Sequence, residues 1–115
     1  MSRDVTVVRI YIKETDHGRR GNLMQEIVRL LHDQHRVAGL TVFRGIAGFG
    51  ATGEVHSADL LRLAVDLPLV IEFFDTPKVV EAALKLVKGL VSDEHILCWP
   101  ATILSGAAPQ AEGGK

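Results

Sequence analysis

One cysteine, Cys98, in 115 residues excludes an internal disulfide. Aromatic residues make up only 5% of the chain, and no run of about 20 apolar residues occurs that would cross a bilayer as a helix. The start MSRDVTVVRIYIK lacks the basic, apolar and small-residue order of a signal peptide. An excess of charge of either sign is missing too: 13 Lys and Arg stand against 14 Asp and Glu, for a net charge of -1. A chain so balanced carries no electrostatic footprint for nucleic acid or an anionic membrane surface. Small molecules and other proteins are the expected partners, and the cytoplasm the expected compartment.

The length allows one domain with a real core and leaves no room for a second, so a cleft between two domains is excluded. Within it the apolar pattern is ordered. Val8, Ile10 and Ile12 alternate with Arg9, Tyr11 and Lys13, the period of a half-buried strand over Val5 to Lys13. After the break HGRRG, Asn22 and Gln25 have capping-box spacing, and Leu23, Ile27, Leu30 and Leu31, supported by Met24 and Val28, recur at helical spacing to about Gln34. Gly39 introduces a second strand, LTVFRGI, and Asp66 to Asp75 (DLPLVIEFFD) a third, with Pro68 placed at its start or at an edge because proline cannot donate within a ladder. Thr76-Pro77 opens a second helix, with Val79, Val80, Ala83, Leu84, Val87 and Leu90 on one stripe and Gly89 near its exit. Ile96 to Leu104 gives a last strand, in which Pro100 signals an edge or a bulge. The tail SGAAPQAEGGK is small, polar and glycine-rich, and residues 105–115 are expected to be disordered, leaving 1–104 as the domain.

The order β-α-β-β-α-β predicts an α+β, ferredoxin-like fold: a four-stranded antiparallel sheet with two helices on one face. The other face would show Tyr11, Val70 and Phe74 beside Arg9, Lys13 and Glu72. A surface this mixed is explained if further copies of the chain cover it.

Four of the nine residues in GIAGFGATG, residues 45–53, are glycine. Gly48-x-Gly50-x-x-Gly53 matches the dinucleotide-binding fingerprint, but that fingerprint needs a long crossover helix followed by a parallel strand ending in an acidic residue. HSADLLRLAVDLP offers about two turns before a proline, so the context fails. Two readings of the glycines stay open. They end strand two and shape a loop, or they let backbone N–H groups approach an anionic ligand.

The run GLTVFRGIAGFGATGEVHSADLLRLAVDLPLVIEFFD, together with HGRRG, closely resembles the domain-of-unknown-function family 190, a PII-like group, over roughly residues 5 to 104. It also resembles the PII signalling proteins themselves. The resemblance implies a PII-like homotrimer with adenine-nucleotide (AMP, ADP or ATP) sites in the clefts between subunits and a non-enzymatic regulatory role. Gly39 and Thr41 would match the strand residues beside the adenine, and Gly48, Phe49 and Gly50 the base of the effector loop, here Gly50 to Leu61. A membrane transport protein, such as a fluoride channel, is the partner that the family suggests.

The departures from PII are specific. One extra residue stands between Gly39 and the Gly-Phe-Gly, so strand two carries a bulge or a shifted register. The phosphate-gripping stretches of PII proteins read here LVSDEH and ILCWPATIL, in which Asp93 and Glu94 would repel a polyphosphate. Tyr11, in strand one, is the only tyrosine, so the modified loop tyrosine of some PII proteins has no counterpart. Arg19, Arg20 and Arg44 are the candidates to meet a ligand's charge instead. For Arg19 and Arg20 the plain alternative is a solvated turn, and for Arg44 it is pairing with Glu72 on the face away from the helices, the role favoured for it. A second reading is a trimeric divalent-metal-binding protein of the ion-tolerance type using His32, His35 or His56, although no third ligand lies near the first two. His56 is otherwise a solvated loop residue or an effector contact. Cys98, near His95 and alternating with apolar residues, reads as a buried, inert thiol rather than a nucleophile.

Overall fold

The computed structural model describes residues 2–19, 21–34, 37, 39–46 and 67–104. Strand β1 runs Arg3–Lys13, helix α1 Leu23–Gln34, strand β2 Gly39–Arg44, strand β3 Pro68–Asp75, helix α2 Pro77–Val87 and strand β4 Ile96–Ile103, the last preceded by a 3-10 turn, Asp93–His95. The strands form one sheet in the order β2-β3-β1-β4 with every neighbouring pair antiparallel. This is the expected ferredoxin-like plan, and the proline-bearing β4 is an edge strand.

Alternation decides the faces. Val8, Ile10 and Ile12 of β1 lie opposite Phe73, Ile71 and Leu69 of β3. All six are buried together with Leu23, Ile27 and Leu31 of α1, Val80, Ala83 and Val87 of α2, and Val91. Both helices therefore cover the same sheet face, since one parity of the two central strands meets the apolar stripes of both. Among the described residues no polar or charged side chain is buried in this core.

Local chemistry sets the helix starts. Asn22 Oδ1 accepts the N–H of Gln25 at 3.0 Å, which satisfies one of the free donors at the start of α1. At α2, Thr76 Oγ1 accepts the N–H of Val79 at 3.4 Å, and Pro77 fills the first helical position without losing a bond. Pro68 is the first residue of β3, as its missing donor requires.

Two expectations are corrected. The β2–β3 register runs without interruption from Gly39 opposite Phe74 to Arg44 opposite Leu69, so the additional residue relative to PII proteins leaves no bulge within β2. Cys98 is exposed, not buried. It sits opposite Val8 on β4, an edge strand that contributes only the partly buried Ile96 to the core, so alternation there does not enforce burial. The segment Gly50 to Leu61, the tail 105–115, Gly48, Phe49, Arg20, His35, His56 and the first residue assigned to strand three, Asp66, lie outside the described residues.

Candidate functional site

On the sheet face away from the helices, Arg9 is central. Its Nε meets Oε1 of Glu72, the directly opposite residue on β3, at 2.6 Å. Its guanidinium carbon lies 5.8 Å from the ring centroid of Phe43 on β2 and 5.7 Å from that of Trp99 on β4, both within cation–π range. Hydrogen bonds, first to Glu72 and then to Tyr11, hold the guanidinium above its already high pKa, so it stays charged at any pH at which the protein folds. One cation thus contacts a side chain from each other strand. The sequence placed Arg9, Tyr11 and Glu72 on this face but gave no sign of the flanking Phe43 and Trp99, which belong to the two edge strands. Tyr11, Phe43 and Leu97 are exposed here by 39%, 47% and 51%, which leaves substantial apolar surface at this face.

The pairing of Arg44 with Glu72 does not form. Arg44 stands opposite Leu69, whose side chain enters the core, whereas Glu72 stands opposite Thr41. Odd and even positions of a strand face opposite ways, so Arg44 projects on the helix side and cannot reach Glu72. Its Nη2 instead meets Oε2 of Glu14, just beyond β1, at 2.6 Å. The same corner is fastened by the backbone: Glu14 N–H donates to the Leu67 carbonyl at 2.9 Å and Gly45 N–H to the Pro68 carbonyl at 2.8 Å.

The remaining candidates separate by element. Gly39 and Thr41 lie on the face of Arg9 and Glu72, at the edge of the sheet. A Cβ on Gly39 would come within 2.8 Å of the partly exposed Phe74 ring, so any larger residue there requires that ring to shift. Arg19 lies in the turn between β1 and α1, where its N–H donates to Glu26 Oε1 at 3.3 Å. A Cβ on Gly18 would run into the same carboxylate. Gly18 N–H donates to the Gly21 carbonyl, and Gly21 has φ 135°, a conformation that favours glycine. The HGRRG turn is therefore built around a carboxylate, a feature the residue order did not reveal. Both described arginine candidates stand beside an acidic group.

Among the described residues no group of three or more His, Cys, Asp or Glu side chains could hold a metal ion. His32 Nδ1 lies 3.0 Å from Asp33 Oδ1 in an exposed pair on α1, and His95 lies 4.0 Å from Glu94. No helix among the described residues is long and apolar enough to cross a membrane. A shallow groove of about 410 Å³ lies at the start of α2, lined by Thr6, Pro77, Lys78, Val80, Glu81 and Leu84. It is on the opposite side of the sheet from Arg9.

The chain is similar to known proteins over nearly its whole described length. A UPF0166 protein of Methanocaldococcus jannaschii is 29% identical over 91 residues, 79% of this chain and 82% of that one. A UPF0166 protein of Aquifex aeolicus is 31% identical over 83 residues, 72% of this chain and 78% of its own. Among solved structures, CPII from Thiomonas intermedia K12, bound to ADP and bicarbonate, superimposes with a TM-score of 0.53 at 16% identity, covering 90% of this chain and 89% of that one. That likeness establishes a PII-like fold. The model of domain-of-unknown-function family 190, described as an uncharacterized ACR, matches residues 5–103, and the chain belongs to that family.

Proposed function

We propose that this protein is a non-enzymatic, PII-like regulator that binds an adenine nucleotide in the clefts between the subunits of a homotrimer and relays occupancy through residues 50–61 to a partner protein. The observation that carries this reading is the superposition on CPII, a protein whose solved structure holds ADP and bicarbonate. The face around Arg9 supports assembly, because it leaves Tyr11, Phe43 and Leu97 exposed around a charged pair. Covering such a face buries the aromatic groups while the ion pair stays internally matched. In this reading Gly39 and Thr41, on the edge strand, contact the base, and Arg44 and Arg19, with Arg20 and Gly48 to Gly50, meet the phosphates. A membrane transport protein is the partner class proposed.

Ligand and partner affinity would be reciprocally coupled, each changing the other by the same factor. Sedimentation combined with calorimetric titration of AMP, ADP, ATP and bicarbonate tests the reading. The expected result is a trimer that binds at least one adenine nucleotide. A stable monomer removes the intersubunit site, and a trimer that binds none of these removes the nucleotide.

A further inference from the structure

Glu14 holds both chain ends that leave the sheet for the segment joining β2 to β3. Its carboxylate is 2.6 Å from Arg44, the last residue of β2, and its own N–H donates at 2.9 Å to Leu67, the residue entering β3. Arg44 reaches this carboxylate across β3, since Leu69 separates it from the end of β1. On the other side of Glu14 the turn towards α1 is tied down: Asp16 Oδ2 accepts the N–H of Lys13 at 2.8 Å, and the Asp16 carbonyl accepts that of Leu23 at 3.1 Å. Glu14 is thus the junction between the turn that carries Arg19 and the two feet of the β2–β3 connection.

We propose that Glu14 couples these two regions and that a phosphate-bearing ligand acts on the connection by drawing Arg44 away from Glu14. The coupling stands on the geometry alone, while the competition rests on the ligand reading given above. The Arg44 side chain is 62% exposed, so an anion from solvent reaches its guanidinium. A guanidinium has five N–H donors in a planar fork suited to phosphate, and a doubly charged phosphate competes well with one carboxylate. Glu14 is 26% exposed and keeps access to water when Arg44 leaves, and a pair with so exposed an arginine contributes little net stability, so the exchange of partner costs little. Removing Arg44 leaves Glu14 with its backbone bond to Leu67 but without the restraint on its side chain, which loosens that bond although Arg44 takes no part in it.

Amide hydrogen exchange on the full chain, read by NMR at Glu14 and Gly45, tests both halves. Without ligand, Arg44→Ala and Glu14→Gln should each speed exchange at the Glu14 amide about two- to five-fold, the range an exposed pair supports. The double exchange Glu14→Arg, Arg44→Glu should return it towards the original rate, and far-UV circular dichroism confirms that each variant is folded. Unchanged exchange in Arg44→Ala, or no recovery in the double variant, overturns the coupling. Saturating ADP should speed the same amide in the unmodified protein and add nothing in Arg44→Ala. ADP that binds by calorimetry but leaves the amide unchanged overturns the competition and spares the ligand reading. If none of AMP, ADP and ATP binds, both of these are overturned, and the coupling is still decided by the ligand-free comparison.

Discussion

Arg9 and Glu72 occupy directly opposed positions on the two central strands and meet at 2.6 Å, with the guanidinium flanked by Phe43 and Trp99 from the two outer strands. An exposed pair of this kind contributes about 0.2–1 kcal/mol, whereas breaking a buried one costs about 3–5 kcal/mol because a charge is left uncompensated. Its energetic weight therefore reports whether the face is covered.

If other copies cover this face, Arg9→Met should destabilise the assembled protein by several kcal/mol, and Arg9→Met with Glu72→Leu should recover most of that loss. Urea denaturation at two protein concentrations measures both. A loss below about 1 kcal/mol, independent of concentration, would mean that the pair faces water in the assembled protein too.

The core predicts a larger and simpler effect. Among the described residues Phe73, on β3, is the largest fully buried side chain, at 0% exposure on the face that the helices cover. Phe73→Ala should cost about 3–5 kcal/mol, read as a lower urea midpoint with an unchanged slope. Phe43→Ala, on the far face, should cost far less in any dissociated form. Equal losses would contradict the assignment of faces.

Those faces were legible in the sequence because Val8, Ile10 and Ile12 alternate cleanly and because Asn22 and Thr76-Pro77 mark helix starts by their own hydrogen bonds. Arg44 was misassigned for a reason that no single strand contains. Its partner depends on the β2–β3 register, in which a shift of one residue changes the face, and the intervening glycine stretch hides that register. Cys98 was misassigned because alternation marks a side but does not say whether a helix covers it at the sheet edge. The Arg9 cluster draws on strands far apart in sequence, from Arg9 to Trp99, so only the assembled sheet reveals it. The role of Gly39 was visible as a glycine but not as a contact with Phe74.

Gly39→Ala separates packing from ligand binding at that position. The added carbon would lie 2.8 Å from the Phe74 ring, closer than real contacts allow, so the ring must move. Turning that partly exposed ring aside costs about 0.5–1.5 kcal/mol without any ligand. Phe74→Leu in the same chain should relieve part of that cost, giving a double-mutant cycle with a coupling of about 0.5 kcal/mol or more. Additive losses would show that the ring is not what requires glycine.

Cys98 gives a chemical test of the β4 edge. Its exposure predicts that a maleimide or aromatic disulfide reagent modifies the native chain at full stoichiometry without denaturant. Reaction only after urea is added would mean that β4 is covered in the assembled protein, and the reaction rate against protein concentration would then report that contact.

Trp99 is the chain's only tryptophan and half-buried, with its ring 5.7 Å from the Arg9 guanidinium, so its emission reports this one face. If the proposed trimer covers the face, iodide should quench the emission weakly at high protein concentration, because subunit packing excludes the ion from the ring. Dilution should make the ring quenchable over the same concentration range in which sedimentation shows the trimer dissociating, since assembly depends on protomer concentration by mass action. Arg9→Met should move both transitions to higher concentration together, because it removes the cation that both rings flank and leaves Glu72 unpaired on the covered face. Full quenching while sedimentation still reports a trimer would show that subunits meet through another surface, and the face around Arg9 would then be free for a different partner.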